Sequence, residues 1–327
     1  MPDQASTTTL NAQSAPRANR RMKAPEWGAL LLFLLAEMVF FTLNSQYFLT
    51  WPNWVNIITA LSITGILAAG GTILLIAGQF DLSVGSGTAF VALMFAIAAQ
   101  SMGIIPATGV ALLVGAGIGV LNGFLVTVVG VNALITTLGT LAIFRGLTLS
   151  IGGASSVRIN GFDWAIARPF FDIPLSAVLF LVIAIVVAIV LARTVFGRTI
   201  YAIGANENAA RLVGIRTKRT LFVGFVISGL CMAVTGLVSA SQLGSTSGTT
   251  GTGLELAVVT AIILGGTSLK GGTGTMFGTI LGLLIVGVLN NGMTLMNINS
   301  TWQQVAAGTL LILAVSFDQI RQRFIRS

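Results

Sequence analysis

The chain alternates between long apolar runs and short breaks rich in Gly, Ser and Thr. Since roughly 20 apolar residues cross a bilayer as a helix, the runs predict ten spans. They fall at residues 27–45, 55–77, 84–101, 104–129, 132–151, 174–192, 220–242, 254–268, 276–296 and 301–318, and several are short or interrupted by Gly. Ten spans of that length occupy about two thirds of the chain and leave no room for a soluble catalytic domain. The expected fold class is an all-α membrane protein, a Gly-rich polytopic bundle of about ten transmembrane helices.

Composition sharpens this reading. Of 327 residues 55% are apolar and 8% charged, with a mean hydropathy of +0.94, where soluble domains carry about 25% charge. A water-soluble fold is excluded. The formal charge of +8 would suggest nucleic acid in a soluble chain, but here the charges cluster between apolar runs, so the basicity belongs to membrane orientation. With no His, and with Cys231 alone inside an apolar run, an internal disulfide, a Cys or His metal site and a His-based triad are excluded. Cys231 reads as packing or lipid contact.

Residues 1–25 are polar, carry Arg17, Arg20, Arg21 and Lys23, and read as a disordered basic tail. Arg20-Arg21 invites a signal-peptide reading, but the apolar stretch that follows is long and no small-x-small site comes after it, so an uncleaved first span is expected. The membrane domain is expected over 26–320, a polar loop over 193–220 and a short basic tail over 321–327. If all ten spans cross and the first tail is cytoplasmic, that side receives fourteen Lys and Arg. The other side receives Arg158 and Arg168, and Arg145 lies near a span end, free to snorkel. Both termini are then cytoplasmic.

Gly115-x-Gly117-x-Gly119 and Gly278-x3-Gly282 place small residues at helix-contact spacing. Residues 78–90 align with 265–277, and Asn122-Gly123 with 138–143 resembles Asn291-Gly292 with 307–312. The two pairs lie at different offsets, so the repeats point to two related halves without one simple duplication.

An ionisable residue within a membrane is a functional candidate by default. Asp81 leads, between spans two and three in Gln79-Phe-Asp-Leu-Ser-Val-Gly-Ser86, where Asp81 or Ser83 either caps span three or lines a path or gate. Glu37 and Glu255 are weaker candidates near span ends. Asn122, Asn132, Thr136, Asn290 and Asn291 are polar residues within or beside spans, each either lining the path or bonding helix to helix.

After span six, Gly204-Ala-Asn-Glu-Asn-Ala-Ala-Arg-Leu-Val-Gly214 reads as a short helix capped by Asn206, with Glu207 in its first turn, Arg211 in its last and Gly214 as a stop. It is too short to cross a bilayer. Such a helix is a solvated connector or a docking element.

Four segments together resemble the permease subunits of bacterial ABC importers for ribose, arabinose, xylose and related sugars. They are Gly78 to Ser86, Asn132 to Thr140 with Arg145-Gly146, Phe196-Gly-Arg198 running into Gly204 to Gly214, and Leu264 to Gly272, in that order along the chain. The resemblance implies an inner-membrane subunit that pairs with a second copy or a homologue. It also implies a periplasmic sugar-binding protein, docking at Arg158 and Arg168 through a salt-sensitive contact, and a cytoplasmic ATPase. Gly204, Asn206, Glu207, Asn208, Ala210, Arg211 and Gly214 would form the coupling element that the ATPase receives. This chain has Gly78-Gln79-Phe80 where such permeases usually have Gly-Gly-Ile or a similar triplet before Asp-Leu-Ser.

The chain has no Gly-x4-Gly-Lys-Ser/Thr, and residues 265–274 lack the Lys-Ser/Thr pair, so ATP and Mg belong to the partner and no cofactor is expected here. Residues 265–274 read as a tight turn or as a moving contact. The alternative function is an ion- or proton-coupled secondary transporter, which calls for mid-span acids or paired charges that this chain largely lacks. A membrane-embedded enzyme ranks last, for want of a nucleophile with its base.

Overall fold

The computed structural model describes residues 28–153, 156–169 and 172–326. The tail expected over 1–25 lies outside the described residues, apart from which every expected span has a helix at its place. They run α1 (Gly28–Asn44), α2 (Trp51–Ile76), α3 (Val84–Met102), α4 (Ile104–Phe124), α5 (Ala133–Gly152) and α6 (Leu175–Arg193). Then come α7 (Val195–Ala205), α8 (Glu207–Leu212), α9 (Thr217–Leu243), α10 (Leu254–Leu264), α11 (Met276–Leu295) and α12 (Ser300–Arg326). A π-helical turn, Leu125–Val129, extends α4.

Among the described residues seven helices are long and apolar enough to cross a membrane: α2, α3, α4 with its π turn, α5, α6, α9 and α11. The chain is a multi-pass membrane protein. α2, α3 and α9 are the most enclosed, whereas α5 and α6 turn much of their surface outward. On α6, Leu181, Ile185 and Ile189 recur every fourth residue on that outward surface, the stripe a lipid-facing helix presents.

Two features depart from the sequence expectation. The run 254–268 contains a helix of only 11 residues, α10, about 16 Å long and half a bilayer. Gly251 and Gly253, at φ of 70° and 85°, shape the turn before it, and the helix starts where the run does but ends early, at Gly265-Gly266. The loop 193–220 holds two helices where one was expected. α7 buries Gly197, Ile200 and Ile203, an i, i+3, i+6 stripe, and Thr194 caps it by accepting the Gly197 N–H at 3.1 Å.

Glycine contacts set the helix spacing in the core. α4 lies on α9 through Gly115 and Gly119 against Gly229; a Cβ built on Gly229 would stand 2.8 Å from the Gly119 Cα. α11 lies on α10 likewise, with Gly278 and Gly282 against Gly265. Gly117, between the two contact positions, meets nothing within 4 Å. Cys231 is buried in packing between α2 and α9.

The aligned segments 78–90 and 265–277 also meet. A Cβ on Gly271 would lie 2.7 Å from the Gly78 N, and the Gly272 N–H donates to the Ile76 carbonyl at 2.8 Å. Two antiparallel residue pairs, Val157–Arg158 (β1) and Ser245–Thr246 (β2), tie the α5–α6 connection to the end of α9.

Because the atoms facing Gly229 are backbone, Gly229→Val is expected to destabilise the protein by at least about 1–3 kcal/mol. Gly117→Ala should be neutral. Thermal unfolding of both variants in detergent checks the pair.

Candidate translocation and coupling sites

α3 starts beside the middle of α9, so its first turn sits deep in the bundle. Ordinary helix ends reach water, and this one must find partners inside the protein. Asp81, 7% exposed, supplies them. Its Oδ1 accepts from the Ser83 N–H at 3.1 Å and the Ser83 hydroxyl at 2.6 Å, and its Oδ2 accepts from the Ser228 hydroxyl at 2.7 Å. The Asn122 side-chain amide then donates to the Ser83 Oγ at 2.9 Å.

Asp81, Ser83 and Asn122, singled out separately in the sequence, form one buried network that joins α3, α4 and α9. Ser83 holds the position before α3, yet its own side chain makes no cap bond to the helix. Ser228 was not foreseen, because a Ser within an apolar helix carries no signal until its partner is known. The Asn122 Oδ1 has no hydrogen-bond partner.

The start of α10 abuts the start of α3. Gly85 is covered by the Glu255 carboxylate and by the Gly251 carbonyl, contacts that only a residue without a Cβ permits. α3 and the short α10 thus begin next to each other, each with an acid near its positive end. Glu255 Oε1 accepts the Gly253 N–H at 3.3 Å, and its Oε2 is buried without a partner. The turn between β2 and α10, rich in Gly, Ser and Thr, is held from the side by Arg145, whose Nη1 donates to the Gly248 and Thr250 carbonyls at 2.8 Å each. Arg145 was expected to snorkel and is instead a tether.

The remaining polar candidates separate. Asn132 is exposed and caps α5, accepting from the Leu134 and Ile135 amides at 2.9 and 3.4 Å. The Thr136 hydroxyl and the Asn290 carbonyl oxygen are buried and unpartnered. Asn291 exchanges two hydrogen bonds with Asn53, at 2.9 and 3.0 Å, and so links α2 to α11. Glu37, expected near a span end, lies in mid-helix, buried in α1, with its Oε2 unpartnered. The expected span 27–45 already places it near the middle, so this position was readable from the sequence.

At one rim, α7 and α8 follow α6. Asn206 caps α8 by accepting the Ala209 N–H at 3.0 Å. Arg211 pairs with Glu207 at 3.2 Å, and Gly214 turns the chain at φ 85°. Ala210 is buried and Asn208 exposed, while Leu212 and Val213 stand 88% and 77% exposed. Gly204 packs on the Ile76 carbonyl and the Gly272 amide, and Tyr201 donates its hydroxyl to the Gly274 carbonyl at 2.8 Å. The segment 265–274 is therefore a turn clasped between α2 and α7, with Lys270 exposed.

At the other rim, Arg158 on β1 and Arg168 are exposed. Asp163 and Asp172 lie on the same connection, so it is not net basic.

A multi-pass bundle in which a half-length helix meets the start of α3 inside, with a short capped helix at one rim, is an architecture that membrane permeases use. The family described as the permease component of a branched-chain amino acid transport system matches residues 53–315, and the chain belongs to it. The D-allose transport system permease protein of Escherichia coli K12 is 35% identical over 302 residues, covering 90% of this chain and 92% of that protein. The L-arabinose transport system permease protein of the same strain is 38% identical over 310 residues, covering 91% and 92%. The ribose import permease protein of that strain is 35% identical over 308 residues, covering 91% and 94%. No solved structure matches.

Asp81→Ala leaves three buried donors short of an acceptor and is expected to lower stability by roughly 1–3 kcal/mol, more than Ser228→Ala, as read by thermal unfolding in detergent. Arg145→Met should free the turn, so that amides 247–250 exchange hydrogen faster while the cores of α2 and α9 stay protected. Equal exchange in the two proteins would show that Arg145 does not hold the turn.

Proposed function

We propose that the chain is the transmembrane subunit of an ATP-driven importer that carries a monosaccharide across the bacterial inner membrane. The carrying observation is that permeases named for allose, arabinose and ribose each align with about nine tenths of this chain. Those three include a hexose and two pentoses, so a pentose, the sequence expectation, is one class among those the relatives handle.

The energy comes from a separate ATPase that holds ATP and Mg, and this chain acts as transport subunit without a catalytic step of its own. α8 is the coupling element. It is fixed in place by its cap and by the buried Ala210, and it offers Leu212, Val213 and Arg211 outward on a segment too short to lie in the bilayer. Rigid positioning with exposed apolar side chains suits a helix that transmits a push from a soluble partner.

Both termini face the cytoplasm, a reading supported by the fourteen Lys and Arg that this orientation places inside. The opposite rim, with Arg158 and Arg168, receives a periplasmic sugar-binding protein, and two copies of the chain pair around the path. Sugar passes near the meeting of α3 and α10, where Asp81, Ser83 and Asn122 fix the frame. Thr136 and Asn290 keep polar atoms without a partner for use along the route. A proton-coupled carrier has less support, because the Asp81 carboxylate already receives three donors and relays nothing while it does.

Cross-linking in native membranes, followed by purification through a tag on this chain, is expected to recover a two-site ATPase and a sugar-binding protein. Recovery of the chain alone, with uptake that follows the proton gradient and ignores ATP depletion, would overturn the importer reading. Arg211→Glu should leave the permease in the membrane at normal abundance and abolish uptake. The Glu207–Arg211 pair is exposed, and pairs at this spacing contribute only about 0.3–0.5 kcal/mol, so stability does not account for such a loss. Normal uptake by that variant would remove α8 from the coupling role.

A further inference from the structure

A groove of about 440 Å³ lies where the π turn after α4 meets the start of α9. It is lined by Thr127, Val128, Lys218, Arg219, Phe222 and Val223. Two kinds of surface meet there. Val128, Phe222 and Val223 make an apolar wall, with Val128 59% and Val223 45% exposed, on helices that cross the membrane. Lys218 and Arg219 stand exposed at its end, in the first turn of α9.

Among the described residues neither cation has a partner. Glu207–Arg211 is the one ion pair among the described residues, and neither Lys218 nor Arg219 makes a side-chain hydrogen bond there. A helix start favours negative charge, so two adjacent cations in this turn run against the preference of α9 itself. The helix itself does not balance their charge. The Thr127 hydroxyl is spent on the Gly123 carbonyl at 2.7 Å, so the groove offers cations and apolar surface and little else. The π turn widens the helix at this point and sets Val128 outward, forming one wall.

We propose that this groove seats an anionic phospholipid, with its phosphate on Lys218 and Arg219 and the upper part of an acyl chain along Val128, Phe222 and Val223. The charge complementarity selects an anion, and the apolar wall on membrane-crossing helices selects a lipid over a soluble anion. The assignment needs only that the chain spans a bilayer. It stands apart from the sugar and ATPase readings, so either can fail without the other. Seated there, the lipid braces the start of α9, the helix that carries Ser228 and receives α8 through the turn at Gly214.

Native mass spectrometry of the purified full chain, offered phosphatidylglycerol or phosphatidylcholine in turn, tests the proposal. Phosphatidylglycerol should be retained in clear preference. Each cation replaced should reduce that retention by about fivefold, so that K218Q/R219Q loses the preference while phosphatidylcholine adducts are unchanged. Val128→Trp, which fills the apolar wall and keeps both cations, should reduce phosphatidylglycerol retention too. Should the double variant fail to fold, a photoreactive phosphatidylglycerol on the unaltered protein is expected to label peptides covering residues 125–129 and 218–223. Equal retention of the two lipids, labelling elsewhere, or displacement of the lipid by millimolar inorganic phosphate would overturn the proposal. So would unchanged retention in K218Q/R219Q, with loss of the ATPase from the purified complex, which would assign these cations to a protein contact.

Discussion

Water cannot reach an unpaired backbone group in the hydrocarbon of a bilayer, and two helices of this protein begin where water is scarce. α3 starts beside the middle of α9, and α10 starts against the first turn of α3. Much of the interior follows from satisfying those two starts. Asp81 answers the first, with three donors drawn from Ser83 and Ser228. Glu255 and the turn held by Arg145 answer the second. The close approach that lets the two starts meet depends on Gly85, whose missing Cβ leaves room for the Glu255 carboxylate.

The same economy of space organises the two rims. Gly204, Gly271 and Gly272 bring the end of α2, the segment 265–274 and α7 to backbone contact, so α8 is mounted on a packed base rather than on a free loop. On the opposite side, β1 and β2 join the α5–α6 connection to the turn before α10. Both rims thus connect to α10, one through the turn before it and the other through the segment that follows it.

Much of this was legible in the chain. Apolar run length located the spans, because bilayer thickness imposes a length on any crossing helix. The Asn206 cap with Glu207 and Arg211 announced α8, because capping is a local interaction. What local patterns miss is depth. Residues 254–268 are apolar enough to suggest a full span, and only the structure shows the helix closing at Gly265 after 11 residues. Arg145 looked free to reach the interface and instead tethers a turn 103 residues further on.

By itself the sequence determined that the chain crosses a membrane many times, which loops carry the charge, and where a short capped helix falls. These depend on composition and on neighbours within a few residues. Only the tertiary structure decided that Asp81, Ser83, Asn122 and Ser228 share one network and that Asn132 caps a helix while Asn291 pairs with Asn53. A hydroxyl or amide in an apolar helix can bond in any direction. Which partner it takes is set by the glycine contacts that bring distant helices within hydrogen-bond reach.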